Sequence, residues 1–540
     1  MEFFQDGPEL SNTFESDRVL QKFLKKTLPA AIWNEVSKDL QSFGEKTAGV
    51  IRELGEKAES EPPVHIPYSP WGKRIDEVKV SDAWKELDRI SAQEGIVAIG
   101  YERKQKEFSR LYQFAKLYLF HPSSAIYSCP LAMTDGAARV IEVYGSEEMK
   151  KRAFKHLTSR KPEEFWTSGQ WMTERTGGSD VSGTSTVAKK TASGYELHGT
   201  KWFTSATTSQ MAMTLAKIEG DPTGKLSLFY VELRNSEGEL QNIEINRLKD
   251  KMGTKALPTA ELSLKGTPAV MVGEEGKGVK TIATLFNITR IYNACCAVGY
   301  MRRGLDLARS YSQKRMAFKK LLIDHDLHAE TLGQMEARFE ASFYLTFEAA
   351  RLLGREENGV ANAQESLALR LLIPLTKLFT AKEGVAIASE VIESFGGAGY
   401  VEDTGLPAIL RNAQVLAIWE GTTNVLSLDA VRAIKKENAG DAFLLEIERR
   451  VKGHSELEKA HGKLKEVMER FKSTSEDEVG GLARNFSISL SRVFAAALMH
   501  EHGEDQVQKI ALKKFIALGL LENLSLGKED FADSRMLVEK

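Results

Sequence analysis

From about residue 17 to 160, apolar positions recur every three or four residues, which predicts a mostly helical first region. The stretch EPPVHIPYSPWGKR, residues 61–74, is Pro-rich and reads as a connector that interrupts those helices. Near Phe165 the period changes. TSTVAKKTASGYELHGTKWFTSA carries β-branched and aromatic residues on both sides of the turn pair Ser193-Gly194. MAMTLAKI, LSLFYVEL, QNIEINRL and TAELSLKGTPAVMVG continue the strand pattern to about Val272. GEEGKG, residues 273–278, then reads as a turn opening a long helix, and helical spacing persists to about Lys436. Within that run KRMAFKK sets Arg315 and Phe318 three apart on one helix face. Residues 440–540 are helical again, with ISLSRVFAAALMHEHG the most amphipathic piece. Helices, a sheet and more helices predict an α+β chain. The expected parts are an N-terminal helical domain (1–165), a middle β domain (166–275), a C-terminal helical bundle (276–436) and a helical extension (437–540).

Composition narrows this little. Hydrophobic residues make up 42% and charged residues 27% of the 540, ordinary values for a globular protein. The 73 Lys and Arg nearly cancel the 75 Asp and Glu, so overall charge offers nothing to nucleic acid or an anionic membrane. Three cysteines, two of them adjacent at 295 and 296, do not form a disulfide framework and point to a reducing compartment. No apolar run approaches the roughly 20 residues needed to span a bilayer. The acidic start, MEFFQDGPELSNTFESD, resembles neither a secretory signal nor an Arg-rich transit peptide, and MLVEK is not a peroxisomal ending. The expected compartment is the cytoplasm, with the mitochondrion as the alternative.

Common chemistries fail on spacing. No H-x-x-x-H or C-x-x-C occurs, and His325 and His328 lack companion ligands, so no metal is expected. G-x-S-x-G is absent, GEEGKG lacks phosphate-loop spacing, and FGGAGY follows a helical run where a dinucleotide fingerprint would need a strand. What remains is a set of polar, Gly-containing segments: QWMTERTGGSD, HGTKWFTS, KRMAFKK, ESFGGAGY and IWEGTTN. Glu420 stands out in the last, a carboxylate following an apolar run just before a helix. It reads either as a helix start capped by Thr422 or Thr423, or as a catalytic base.

Taken together and in order, these segments resemble the acyl-CoA dehydrogenase family over about 165–436. MTERTGGSD and GTKWFTS are similar to its two flavin segments, RMAF to its dinucleotide-binding R-x-x-F, and IWEGT to its base segment. WGKRIDEVKVSDAWKELDRI, YSCPLAMTDGAARVI and the extension resemble the AidB-like, alkylation-response branch. The resemblance implies an FAD-dependent enzyme oxidising fatty acyl-CoA, with Glu420 removing the α proton while the β hydrogen leaves as hydride to flavin N5. It implies isoalloxazine contacts from Gln170, Met172, Thr173, Gly178 and Ser179, a stacking aromatic at Phe203 and a hydroxyl near N5 at Ser205. Thr422 and Asn424 match dinucleotide contacts; Arg315, Phe318, Glu393 and Gly397 match contacts supplied by a neighbouring subunit. Ser179, Arg290, Glu420 and Gly421 match substrate contacts.

Partners implied are fatty acyl-CoA, an electron acceptor, and further copies of the chain in a homotetramer arranged as a dimer of dimers. Some members carry their base on the helix containing ITR, where this chain has Thr289, which cannot serve. Three positions depart from the family pattern: Glu393 replaces a Gln, Lys319 a Gly and Asn412 an Asp. Two other functions fit the same residues: an acyl-binding flavoprotein with little turnover, and a nucleic-acid-associated flavoprotein. The latter ranks last, since residues 441–540 hold 16 Lys and Arg against 18 Asp and Glu, a net of −2.

Overall fold

The computed structural model describes residues 5–192, 194–474, 476–525 and 527–539. Ser193 of the expected turn pair lies outside them. Two units divide the chain: residues 45–104 with 119–292, and residues 1–44 with 105–118 and 293–540.

In the first unit, residues 61–74 are more than a connector. They lie in an antiparallel hairpin of β1 (Val64–Tyr68) and β2 (Arg74–Lys79). Pro67 sits where the register shifts between Ile66 and Tyr68, the kind of bulge that tolerates a residue with no N–H. Buried Asp76 ties the hairpin to the main sheet. It pairs with His65 Nε2 at 2.9 Å and accepts from Arg74 Nε at 2.7 Å and from the backbone N–H of Ile245 at 3.1 Å.

The main sheet has seven strands: β3 (Ser168–Trp171), β4 (Val187–Thr191), β5 (Gly194–Ser205), β6 (Met211–Ile218), β7 (Leu226–Glu232), β8 (Ile243–Leu248) and β9 (Thr259–Val272). Pairings β4–β5, β5–β9, β9–β7, β7–β6 and β6–β4 close a ring, with β3 added to β6 and β8 to β9. Closure pairs both edges of each ring strand. The period-two pattern of MAMTLAKI explains why β6 is central. Met211, Met213 and Leu215 face a core shared with Ala137, Val140 and Ile141 of the helix Ser128–Tyr144. Ala212 and Ala216 face a second core with Trp171, Phe229 and Leu262. Both faces are covered, as in strands that read as continuous apolar runs.

The second unit is mainly helical. KRMAFKK departs from expectation: it is a tight hairpin of β10 (Met316–Ala317) and β11 (Lys320–Leu321), and no helix face carries Arg315 and Phe318. Its two turn residues, Phe318 and Lys319, have φ of +48° and +67°. Positive φ at both central positions matches the twist of a two-residue hairpin, but the sequence lacks the Asn-Gly that usually signals it. The long helix Ala363–Ser394 starts with a capping box, in which Asn362 accepts from the Glu365 N–H at 2.9 Å and Glu365 accepts from the Asn362 N–H at 3.0 Å.

Extension helices Ala439–Val451, Glu476–His502 and Gln506–Ala517 pack on Ala363–Ser394 and on its neighbour Asp326–Glu357. Buried Arg450 is the polar tie, reaching Glu348 at 2.9 Å, Glu501 at 2.6 Å and Glu446 at 2.5 Å. The piece expected to be amphipathic is instead enclosed: Leu490 and every residue from Val493 to Met499 are buried. Its serines Ser489 and Ser491, and Ser487 just before it, are buried too, which hid the second apolar face from the pattern. Among the described residues no helix is long and apolar enough to cross a membrane.

Candidate functional site

The β unit carries the first group of candidate residues. Gln170 lies on β3, opposite Met213 of β6, and Met172 and half-buried Thr173 follow it into an exposed loop containing Gly178 and Ser179. A side chain at Gly178 would meet Thr173 Oγ1 at 2.6 Å, so the loop folds back this closely only with glycine. Its anchor is Glu174, which no motif reading had singled out. This buried carboxylate accepts from the Ser185 N–H and hydroxyl at 2.6 Å each, the Thr186 hydroxyl at 2.6 Å and Lys201 Nζ at 2.8 Å. Burial alone would raise its pKa, but the Lys201 charge and these hydrogen bonds outweigh burial and hold it down at about 2. Lys201, fully buried on β5, also donates to the Leu215 carbonyl at 2.9 Å.

The pair therefore locks the loop onto the strand carrying KWFTS. The Trp202 N–H donates to the Thr173 carbonyl at 2.8 Å, completing the join. Between Lys201 and Thr204 the β5–β9 register shifts by one residue, and Phe203 sits in this bulge with φ of +55°. Bulges re-aim side chains, and Phe203 is 56% exposed despite its apolar ring. Lys249 Nζ lies 3.5 Å from the Trp202 ring centre and 4.7 Å from that of Phe203. Ser205 shares a 3.0 Å hydrogen bond with the Thr259 hydroxyl.

Thr289 and Arg290 lie on the helix Gly278–Ser312, and the Thr289 hydroxyl donates to the Phe286 carbonyl at 3.2 Å. One turn on, Tyr292 donates to the fully buried Asp135 at 2.9 Å, and Tyr101 donates to the same carboxylate at 2.7 Å. This triad around a buried carboxylate also lay beyond the sequence reading, since single residues in three helical stretches form no motif.

In the helical unit, the helix Leu406–Leu416 ends and the chain turns through residues 417–420 before the helix Thr423–Glu437. Half-buried Glu420 has φ of +57°, and Gly421 follows at +101°. A left-handed glutamate costs about 1–3 kcal/mol and persists only where its surroundings enforce it. Two buried residues do so. Lys377 donates to the Gly421 carbonyl at 2.6 Å; Asn293 donates to the Leu416 carbonyl at 3.0 Å and bonds the Trp419 indole. Thr422 is the N-cap by backbone geometry, but its hydroxyl makes no capping hydrogen bond among the described residues, which corrects the expected cap.

Three family models match the chain: the acyl-CoA dehydrogenase C-terminal domain over residues 276–435, the middle domain over 169–267, and the adaptive response protein AidB N-terminal domain over 7–163. The chain belongs to the acyl-CoA dehydrogenase family. Acyl-CoA dehydrogenase family member 11 of Caenorhabditis elegans is 42% identical over 93% of this chain and 86% of its own length. The putative acyl-CoA dehydrogenase AidB of Escherichia coli is 30% identical over 82% of each. Crystalline Caenorhabditis elegans ACDH-11 in complex with C11-CoA superposes with a TM-score of 0.96 at 40% identity, covering 99% of this chain and 96% of that one. The apo form of Bd2924 superposes at 0.88 with 52% identity, covering 95% and 100%. The family's fold, helical then β then helical, is the one seen here.

Measured against the acyl-CoA dehydrogenase pattern, the remaining candidates are dispersed in the helical unit. Arg315 precedes the β10–β11 hairpin, donating to the Gln5 side chain at 3.3 Å, and Phe318 at its tip is 93% exposed. Glu393 is exposed on the last turn of Ala363–Ser394, and Gly397 lies just beyond in a short 3-10 turn. Asn424 is exposed in the first turn of Thr423–Glu437 and accepts from Arg484 Nη1 at 3.0 Å. Asn412, in place of the family's Asp, is buried in Leu406–Leu416.

Proposed function

We propose that this chain is an FAD-dependent acyl-CoA dehydrogenase that binds fatty acyl-CoA and uses Glu420 as the base for its α proton. The observation that carries this reading is the left-handed backbone of Glu420 in a turn anchored on both sides, at Leu416 and Gly421, since strain kept at a carboxylate belongs with a fixed reacting group more than with a helix cap. Family membership supports an oxidoreductase.

The donor set fits FAD. The Thr173–Gly178 fold has no room for a Cβ at 178, an exposed aromatic stands beside it on a bulge, and the hydroxyl of Ser205 faces a second hydroxyl. The helix Thr423–Glu437 begins without a side-chain cap, leaving its first N–H groups for an anion. Gln170, Met172, Thr173, Gly178, Ser179, Phe203 and Ser205 would hold the isoalloxazine, and Thr422 and Asn424 the dinucleotide. Arg315, Phe318, Glu393 and Gly397 would meet the cofactor of a neighbouring subunit in a homotetramer; an apolar ring as exposed as Phe318 supports that role. When bound, FAD supplies the acceptor for the β hydrogen.

The chain's own part is positional. Glu420 takes the α proton, and its backbone N–H, with Gly421 bending the chain behind it, donates to the thioester oxygen. Such a donor is worth about 3–4 kcal/mol where charge develops. Ser179 and Arg290 would contact the CoA portion. Lys377 and Asn293 fix the turn so that the carboxylate need not be ordered during the reaction.

Anaerobic titration of the flavin-loaded protein with saturated acyl-CoAs of graded chain length tests this reading. Rapid loss of flavin absorbance supports the dehydrogenase. Tight binding with persistent yellow colour assigns the chain to acyl sequestration instead.

A further inference from the structure

The extension reaches one expected dinucleotide contact. Arg484, on the extension helix Glu476–His502, donates from Nη1 to Asn424 Oδ1 at 3.0 Å. One turn away on both helices, a Cβ built at Gly480 would stand 3.9 Å from Leu428 Cδ2. Residues 480 and 484 thus follow 428 and 424 in antiparallel order, so Arg484 is placed by helix packing and is not a wandering surface side chain.

Two features give this contact chemical meaning. Arg484 has no carboxylate partner among the described residues, although it is exposed and close to a helix that elsewhere recruits arginine. Asp429 and Glu437 of Thr423–Glu437 pair with Arg370 of Ala363–Ser394 at 2.7 Å and 3.0 Å. A guanidinium can only donate, so it engages the amide oxygen of Asn424, and the Asn424 NH2 group keeps its two N–H donors for another partner. The first turn of Thr423–Glu437 therefore brings together a helix start with no side-chain cap, amide N–H groups and a cation with no carboxylate partner among the described residues. That combination suits a phosphate-bearing ligand and no apolar one.

We propose that Arg484 is a dinucleotide-binding residue: the extension supplies the cation at the pyrophosphate end of the FAD site, directly and by orienting Asn424. The proposal rests on the FAD reading above and adds a residue to it from beyond the 276–435 family match.

The test uses the full-length protein, reversibly stripped of flavin, and follows the quenching of flavin fluorescence on titration with FAD and, separately, with riboflavin. Arg484→Ala should weaken FAD binding about tenfold, the range for one charge-assisted contact, and leave riboflavin affinity and apo-protein melting unchanged. Arg484→Lys should fall between wild type and Arg484→Ala, and the salt dependence of FAD binding should shrink in the alanine variant. If Arg484→Ala does not fold, Arg484→Gln carries the same comparison. FAD affinity within about twofold of wild type, or FAD and riboflavin weakened in parallel, overturns the proposal. Wild-type protein that binds no FAD overturns the cofactor reading and this proposal with it.

Discussion

Replacing either member of the Glu174–Lys201 pair should loosen the loop that carries Thr173, Gly178 and Ser179, and the size of the effect can be worked out. Glu174 is held at about 2 against an ordinary 4.5, a gap corresponding to about 3 kcal/mol in favour of the folded carboxylate. Burial of Lys201 works the other way and lowers its pKa, so the pair as a whole is worth less than that figure. Removing one partner strands the other charge in a dry site, which costs about 3–5 kcal/mol. Lys201→Met should therefore destabilise the β unit by about that amount, and Glu174→Gln by somewhat less, because the one amide oxygen still accepts from the Ser185 N–H and hydroxyl. The double variant should recover about 2 kcal/mol or more of the summed loss.

Denaturant unfolding followed by tryptophan fluorescence reads the cycle, with FAD retention measured on the same samples. The sign with pH is fixed. A depressed carboxylate stabilises fully above about pH 4.5 and loses that contribution as the pH falls toward 2, so the wild-type advantage over Glu174→Gln should shrink in acid. Additive single-variant losses would mean that the two charges do not depend on each other and that Glu174 and Lys201 do not act as a pair.

Other outcomes follow from single residues. Lys319→Gly should raise the unfolding free energy by about 0.5–1 kcal/mol, because Lys319 holds φ of +67° in a turn that glycine adopts without strain; a lower melting temperature in thermal unfolding would contradict this. Glu340, pushed up to about 8 first by burial and then by the charge of Glu336, favours the fold below its ordinary 4.5 and loses that support as the pH rises through 8. Glu340→Gln should flatten stability between pH 5 and 8 by about 3 kcal/mol, measured by denaturation midpoints across that range. Asn293→Ala should cost about 1–3 kcal/mol by leaving the Leu416 carbonyl and Trp419 indole without their partner, and it should slow flavin reduction more than it weakens acyl-CoA binding.

What could be read from the sequence was whatever a local period or a contiguous motif encodes. MAMTLAKI announced a strand because its two faces alternate, and GEEGKG announced the long helix because glycine and charge sit at its start. IWEGTTN drew attention to Glu420 through one charge after an apolar run, but its φ of +57° and its anchors Lys377 and Asn293 arise from residues 43 and 127 positions away. RMAF misled because Arg315 and Phe318 at a spacing of three fit a helix, and neither residue of the left-handed turn is glycine. Residues 61–74 misled through their prolines, one of which occupies a bulge where strands admit it. The enclosed helix of the extension was masked by serines that are buried among apolar neighbours. Asp135 with Tyr101 and Tyr292, and Glu174 with Lys201, are tertiary pairings that no local pattern contains.

Rapid mixing of flavin-loaded Glu420→Gln with a saturated acyl-CoA under anaerobic conditions tests whether Glu420 removes the α proton. The amide keeps the shape of the side chain and the left-handed backbone but is not a base. The variant should bind acyl-CoA with near wild-type affinity, seen as a perturbed flavin spectrum, while its absorbance loss is slowed by at least about a thousandfold relative to the wild type. Reduction of the variant's flavin at the wild-type rate would contradict the assignment and require a different base.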